Sequence, residues 1–183
     1  MITIIIIALL ALFVIMTYNS LIRSRNEVTN SFATIDVMLK KRYDLIPNLV
    51  ASVQKYAEHE KGVFEKVVEL RQKNYSSLSD EEKITLDKEF NKASRSFFAV
   101  AENYPDLKAS TNFLQLQASL NETEEQLSAA RRTYNAAVTD YNNKIQVFPN
   151  NIFAGALGFT KKEVLVIPEV ERERPNVKEL FNS

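Results

Sequence analysis

Residues 113–148 read FLQLQASLNETEEQLSAARRTYNAAVTDYNNKIQVF. Phe113, Leu116, Leu120, Thr123, Leu127, Ala130, Tyr134, Ala137, Tyr141, Ile145 and Phe148 recur at steps of three and four, a nearly unbroken heptad that ends at Pro149. That is the repeat of one helix face. A helix over this stretch is about 55 Å long. A stripe of that length needs partners of similar length, so the spacing predicts an all-α chain. The expected fold is a long antiparallel up-and-down bundle with knobs-into-holes packing at shallow crossing angles.

The chain upstream supplies two partners. Val28, Phe32, Ile35, Leu39, Tyr43, Ile46, Val50, Val53, Ala57, Phe64, Val67 and Leu70 form a first stripe, weakened by Pro47 and Gly62. Proline removes a backbone donor and crowds the carbonyl four residues earlier. The stripe therefore either kinks near Tyr43 to Pro47, or breaks there with Asp44 as the N-cap of a new helix and Pro47 in its first turn. Ser79-Asp80-Glu81-Glu82 announces a second helix by a reciprocal capping box. Leu86, Phe90, Ala93, Phe97 and Tyr104 continue it to Pro105. The short linker around Asn74 to Leu78 predicts that these two helices run antiparallel. After Pro149, residues 152–159 form a short fourth apolar element. It either folds back to close one end of the bundle or enters the membrane interface beside Lys161 and Lys162. From Thr160 the rhythm stops, and residues 160–183 read as an extended, partly disordered tail. Within it, Val164-Leu165-Val166-Ile167 suits docking on the bundle or strand addition to a partner.

Composition limits the alternatives. The chain has 183 residues, 23 Lys plus Arg against 23 Asp plus Glu, one His, no Cys, 3 Gly and 5 Pro. So few turn residues argue against sandwiches, barrels and dinucleotide folds. Zero net charge lacks the footprint of a nucleic-acid binder, and the missing Cys removes disulfides, thiolate metal sites and thiol catalysis.

Every charged side chain follows Ile22. Residues 1–22, MITIIIIALLALFVIMTYNSLI, are long enough as a helix to span the roughly 30 Å hydrocarbon layer. No cation precedes the apolar run and no small-residue exit follows it, so a retained single-pass anchor is expected rather than a cleaved signal. Arg23, Arg25, Lys40, Lys41 and Arg42 follow it. That asymmetry predicts an outer N-terminus and a cytoplasmic body in the cell membrane. The expected organisation is an anchor at 1–22, a bundle at 23–159 and a tail at 160–183.

Three motifs carry a resemblance. They are Ile35-Asp36-Val37-Met38-Leu39-Lys40-Lys41-Arg42-Tyr43-Asp44-Leu45-Ile46-Pro47-Asn48-Leu49-Val50, then Ala101-Glu102-Asn103-Tyr104-Pro105-Asp106-Leu107, then Arg132-Thr133-Tyr134-Asn135 with Tyr141-Asn142 one heptad later and Phe148-Pro149. The chain resembles the LemA family from the anchor to about Phe159. Met38 departs from a position that is more often polar in the family, and residues 164–183 look individual. The resemblance implies a single-pass bacterial membrane protein with a helical-bundle domain and no established activity, substrate or cofactor. It also suggests partners: members tend to be encoded near membrane-embedded zinc metalloproteases or secreted TPM-domain proteins, and some belong to magnetosome membranes.

No catalytic constellation assembles in the sequence. Glu58-His59-Glu60 begins like a zinc-protease motif, but Val63 stands where the second His is required and no other His exists. A di-iron bundle site also needs two His. Exposed helix surface is the expected role of His59. The polar run Asp36, Lys40, Lys41, Arg42, Asp44 and Asn48 is expected to meet Arg131, Asn135 and Asn142 in or beside the bundle seam. There it would set register, or form a docking surface. Tyr134 and Tyr141 share a face, each with a ring to bury and a hydroxyl to satisfy. The resulting expectation is a non-enzymatic, membrane-anchored scaffold or adaptor without metal or cofactor. The alternative is a homo-oligomer that organises or curves the membrane through surplus apolar surface at Phe97, Phe98, Leu114 or Phe148. An enzyme is the third possibility, resting only on Glu58, Glu60, Glu65 and Glu69, whose dispersal fits a solvated face.

Overall fold

The computed structural model describes residues 1–54 and 61–165. Glu58, His59 and Glu60, together with Val166, Ile167 and the remaining tail, lie outside the described residues. The elements are α1 (Ile2–Tyr43), α2 (Ile46–Gln54), α3 (Lys61–Gln72), a 3-10 turn (Tyr75–Ser77), α4 (Asp80–Ala101), α5 (Pro105–Lys108), α6 (Thr111–Gln146) and α7 (Asn150–Ala154). No strand occurs among the described residues, and the chain is all-α as the heptad spacing predicts. It divides into two compact units, residues 33–129 and residues 1–32 with the chain from Ala130 onward.

In the unit of residues 33–129, the first stripe is not one helix. After Tyr43 the chain turns through Asp44 and Leu45, and α2 starts at Ile46 with Pro47 in its first turn. A missing amide costs nothing there. The carbonyl of Leu45 accepts from the amides of Asn48 and Leu49, both at 3.1 Å. Asp44 pairs with Lys40 one turn back, so the break occurs with Leu45, not Asp44, immediately ahead of α2. The break also changes the topology. Lys73 reaches Glu89, and Leu70 lies beside Ala93, so α3 runs antiparallel to α4. Asp36 instead pairs with Lys83 and Arg42 with Asp87, which makes α1 parallel to α4. The expected antiparallel pairing therefore holds for α3 alone, because the chain reverses between Tyr43 and Lys61.

The start of α4 follows its sequence signal. The Glu82 amide donates to the Ser79 hydroxyl at 3.3 Å and the Ser79 amide to the Glu82 carboxylate at 2.7 Å. That hydrogen bonding holds the Glu82 carboxyl below its ordinary range. Leu86, Phe90, Ala93, Phe97 and Ala101 are buried along α4. Phe97, Phe98 and Phe113 form a ring cluster with centroids 5.3 to 5.7 Å apart. Phe97 is fully buried and Phe98 half-buried, so neither supplies the surplus surface expected of them, whereas Leu114 and Phe148 are exposed.

In the other unit, α1 runs without interruption from the apolar N-terminal stretch. Leu21 and Val28 pack with Ala137, Val138, Tyr141 and Ile145 of α6 and with Ala154 and Phe159. Phe32 meets Tyr134 at 5.8 Å while Arg25 lies near Tyr141, an antiparallel pairing of α1 with α6. The segment after the Phe148–Pro149 cis peptide folds back onto this core. Its last turn closes by two bonds, Phe159 amide to Ala154 carbonyl at 2.9 Å and Gly158 amide to Gly155 carbonyl at 3.2 Å. Gly158 takes the positive φ of 75° that such a Schellman closure requires. The turn returns Phe159 to the core, against Tyr18 at 6.1 Å and under the Arg25 guanidinium at 5.4 Å.

Candidate functional site

The first motif builds a buried polar node in the unit of residues 33–129. Arg42 Nη1 lies 2.8 Å from Asp87 of α4 and 2.6 Å from Glu124 of α6, and Nη2 donates to Asn91. The side chains of Arg42 and Asp87 keep only 7% and 5% exposure, so their charges depend on each other rather than on water. The guanidinium also stacks on Phe90 at 5.0 Å. One cation thus ties three helices together. Beside it lies a crevice of about 10 Å³ between Leu39, Tyr75 and Leu86.

A second cluster adjoins the node through Tyr75. The Tyr75 hydroxyl donates to the Asp36 carboxylate at 2.8 Å, and Lys83 pairs with the same carboxylate at 3.0 Å. Partial burial would raise the Asp36 pKa, but the hydrogen bonds and charge of Lys83, with that of Tyr75, outweigh it and hold the carboxyl below its ordinary value. Burial, reinforced by the Asp36 carboxylate, pushes Tyr75 well above the usual phenol range. Tyr43 closes the corner, its hydroxyl reaching the carbonyls of Arg71 and Lys73 and its ring 5.3 Å from that of Tyr75.

The break after Tyr43 opens a cleft of about 640 Å³ between α2 and the α5–α6 corner. Leu45, Asn48, Ala51 and Ser52 line one side, and Asp106, Leu107, Ser110, Asn112, Gln115, Leu116 and Ser119 the other. Tyr104 and Pro105 start the short helix that carries Asp106 and Leu107: Pro105 occupies the first position of α5, and the Tyr104 carbonyl accepts from the Leu107 and Lys108 amides. Among the described residues, Asp106 is the ionisable group in this lining. The other described lining residues are amide, hydroxyl and aliphatic, groups that exchange hydrogen bonds and apolar contacts.

The third motif does something else, in the other unit. Asn142 exchanges two hydrogen bonds with the backbone of Lys162, 2.8 and 2.9 Å, and Asn135 does the same with Leu165, both at 2.8 Å. Beside Asn142, the Tyr141 hydroxyl donates to the Thr160 carbonyl at 2.9 Å. A heptad advances about 10.5 Å along a helix, and three residues advance about 10 Å in an extended chain. The two repeats therefore match, and α6 carries residues 160–165 as an antiparallel ribbon. Burial raises the Tyr141 pKa, with Arg25 opposing. The asparagines expected to meet the polar run of α1 are instead bound to the chain's own backbone.

Of the site residues read from sequence, Asp36, Arg42 and Tyr43 meet in the node and its neighbouring cluster. Lys40 and Asp44 pair on the surface, and Lys41 faces Glu122 and Gln126. Pro47 and Asn48 start α2, and Tyr134 packs its ring on Phe32. Arg131 lies on α6 at the start of the other unit. The sequence reading missed Tyr75, Lys83, Asp87, Asn91 and Glu124. A signal existed for some of them: Asp87, Asn91 and Ser94 follow a four-three step beside the apolar stripe, and Glu124 stands between Leu120 and Leu127 at the same steps.

Residues 31–178 match the LemA family. The chain belongs to the LemA family. It is 27% identical to Protein LemA of Metamycoplasma hominis over 90% of this chain and 75% of that protein. It is 25% identical to Magnetosome protein MamQ 1 of Paramagnetospirillum magneticum and 22% identical to Magnetosome protein MamQ of Magnetospirillum gryphiswaldense, in each case over 81% of this chain. The chain spans 64% of the length of those magnetosome relatives. The family match includes the Arg42 node, the cleft and the asparagine ladder.

Proposed function

We propose that this LemA family chain is a non-enzymatic membrane-anchored adaptor, with its N-terminus outside the plasma membrane and its body in the cytoplasm. The cleft at the α1–α2 break engages an extended segment of a membrane-associated protein. The observation that carries this reading is the continuity of α1. One helix holds the exposed apolar residues of the N-terminal stretch and, at its other end, the Arg42 node beside which the cleft opens. An interaction surface carried on the same chain as the apolar N-terminal stretch supports a partner in the same membrane. A membrane-embedded zinc metalloprotease is the partner class that family resemblance favours.

Self-association is the second reading, favoured by the exposure of Leu114 and Phe148. Crosslinking an epitope-tagged copy in living cells separates the two. Capture of one defined membrane protein by both the native chain and an anchor-swapped copy, abolished by Asn48→Arg with Ser110→Arg, supports the adaptor. Capture of the chain alone supports self-association. Protease shaving of intact cells that destroys the body overturns the orientation.

A further inference from the structure

The anchor and the short helix that follows α6 are in contact, and this has a consequence for depth. Phe13 of α1 meets Phe153 of α7 edge to face at 6.5 Å, and Tyr18 meets Phe159 at 6.1 Å. Along the helix, Phe13 lies about 13 Å and Tyr18 about 6 Å nearer the N-terminus than Ile22. A membrane span that ends at Ile22 therefore carries Phe153 below the level of the headgroups. The corner that accompanies it is apolar and open: Val147, Phe148, Ile152 and Leu157 are 41% to 78% exposed.

Charge agrees with that depth. Neither residues 1–26 nor residues 141–162 contain an Asp or Glu, although the chain has 23 acidic residues. The cations in the same stretches are Arg23, Arg25, Lys144, Lys161 and Lys162. Arg25 lies over the Phe159 ring at 5.4 Å, an arrangement that leaves its charge at headgroup level above an apolar contact.

We infer that the α6–α7 corner is a second membrane contact, with Phe148 and Ile152 in the acyl region beside the anchor and Lys161 and Lys162 on anionic headgroups. A lipid surface is the occupant because this face continues the anchor's own: the rings that pack it belong to the membrane-spanning helix. The contact fixes the tilt of α1, which a single helix leaves free. The inference rests on the reading of residues 1–22 as the anchor.

The test uses the full chain in vesicles of phosphatidylethanolamine and phosphatidylglycerol. Because the chain has no Cys, single cysteines carrying an environment-sensitive fluorophore report alone. Ile7→Cys reports the anchor, Phe148→Cys and Ile152→Cys the corner, and Glu125→Cys the aqueous reference. The expected result is a blue shift, loss of quenching by aqueous iodide and quenching by doxyl-labelled lipid at the first three positions but not at Glu125. Iodide quenching at both corner positions with Ile7 protected overturns the second contact and leaves the anchor standing. Iodide quenching at Ile7 overturns the anchor reading and this inference with it. Corner labels protected from both quenchers have a protein cover, which also overturns the lipid contact.

Discussion

Arg42 and Asp87, on two different helices, lie 2.8 Å apart with both side chains almost withdrawn from water. A buried pair of this kind is costly to break from one side, since the remaining charge has no solvent to turn to. Arg42→Met is expected to lower stability by about 3–5 kcal/mol. Combining it with Asp87→Leu should recover part of that loss, because Glu124 is one-third exposed and can turn to water. Urea denaturation of both single variants and the double variant measures the coupling, and single losses that simply add in the double variant would show that the two residues do not depend on each other.

Ser79 supplies both halves of the α4 cap through its hydroxyl and its amide. Ser79→Ala keeps the amide and loses the hydroxyl, so a loss of about 1 kcal/mol is expected, while Ser79→Asp should remain near the wild type. Thermal unfolding of the two variants distinguishes a capping effect from a general surface effect.

Gly158 has open space where a Cβ would stand, and its only constraint is φ of +75°. Gly158→Ala should therefore cost about 1–2 kcal/mol through the backbone alone. Gly158→Asn should cost less, since asparagine tolerates the left-handed region. Equal melting temperatures for glycine and alanine would remove the Schellman closure as a determinant of where Phe159 packs.

The Asp36–Tyr75 pair predicts opposite pH limits. Asp36 has a folded-state pKa below its unfolded value, so its contribution is present above that value, near 4, and declines as acid protonates the folded carboxylate. Tyr75 has a raised folded-state pKa, so its contribution is full below about pH 10 and declines above it as the unfolded phenol ionises. Asp36→Asn should flatten the acid limb of a stability–pH profile and Tyr75→Phe the alkaline limb. Tyr141, also raised by burial, should keep some alkaline slope in the Tyr75 variant.

Asn135 and Asn142 each make two hydrogen bonds to one backbone residue. Replacing either by Ala should release about 1–2 kcal/mol locally and speed amide exchange at Leu165 or Lys162 respectively by roughly tenfold. Asn→Asp keeps the acceptor and loses the donor, so it should be intermediate. Unchanged exchange in the double alanine variant would show that the ribbon is held by other contacts.

Legibility in the sequence varied with the kind of interaction. The α6 stripe from Phe113 and the Ser79 cap announced their elements because side-chain identity and local spacing determine both. Pro47 marked the place where α1 ends but not whether the chain bends or breaks, since a proline suits either a kink or a first turn. Arg42 was visible as a charge within a motif. Its partners Asp87 and Glu124 come from distant segments, and only the register between helices selects them. The asparagine ladder was the least visible, because its ligand is the backbone of Lys162 and Leu165, which carries no side-chain signature.

The sequence by itself determined an all-α chain, an apolar N-terminal helix suited to a membrane and the start of α4, and its motifs carried the family resemblance. The helical class and the apolar stretch follow from composition and from periods of three and four, and the α4 start from a reciprocal cap; all of these act within one segment. Tertiary structure decided that α1 runs parallel to α4, that Arg42 is buried between two carboxylates, that Phe97 is core rather than surface, and that Asn135 and Asn142 grip the chain beyond α7. Those outcomes depend on direction, register and depth between segments far apart in the chain. Heptad spacing fixes which face of a helix is buried, but it is equally compatible with several neighbours and with either direction of packing.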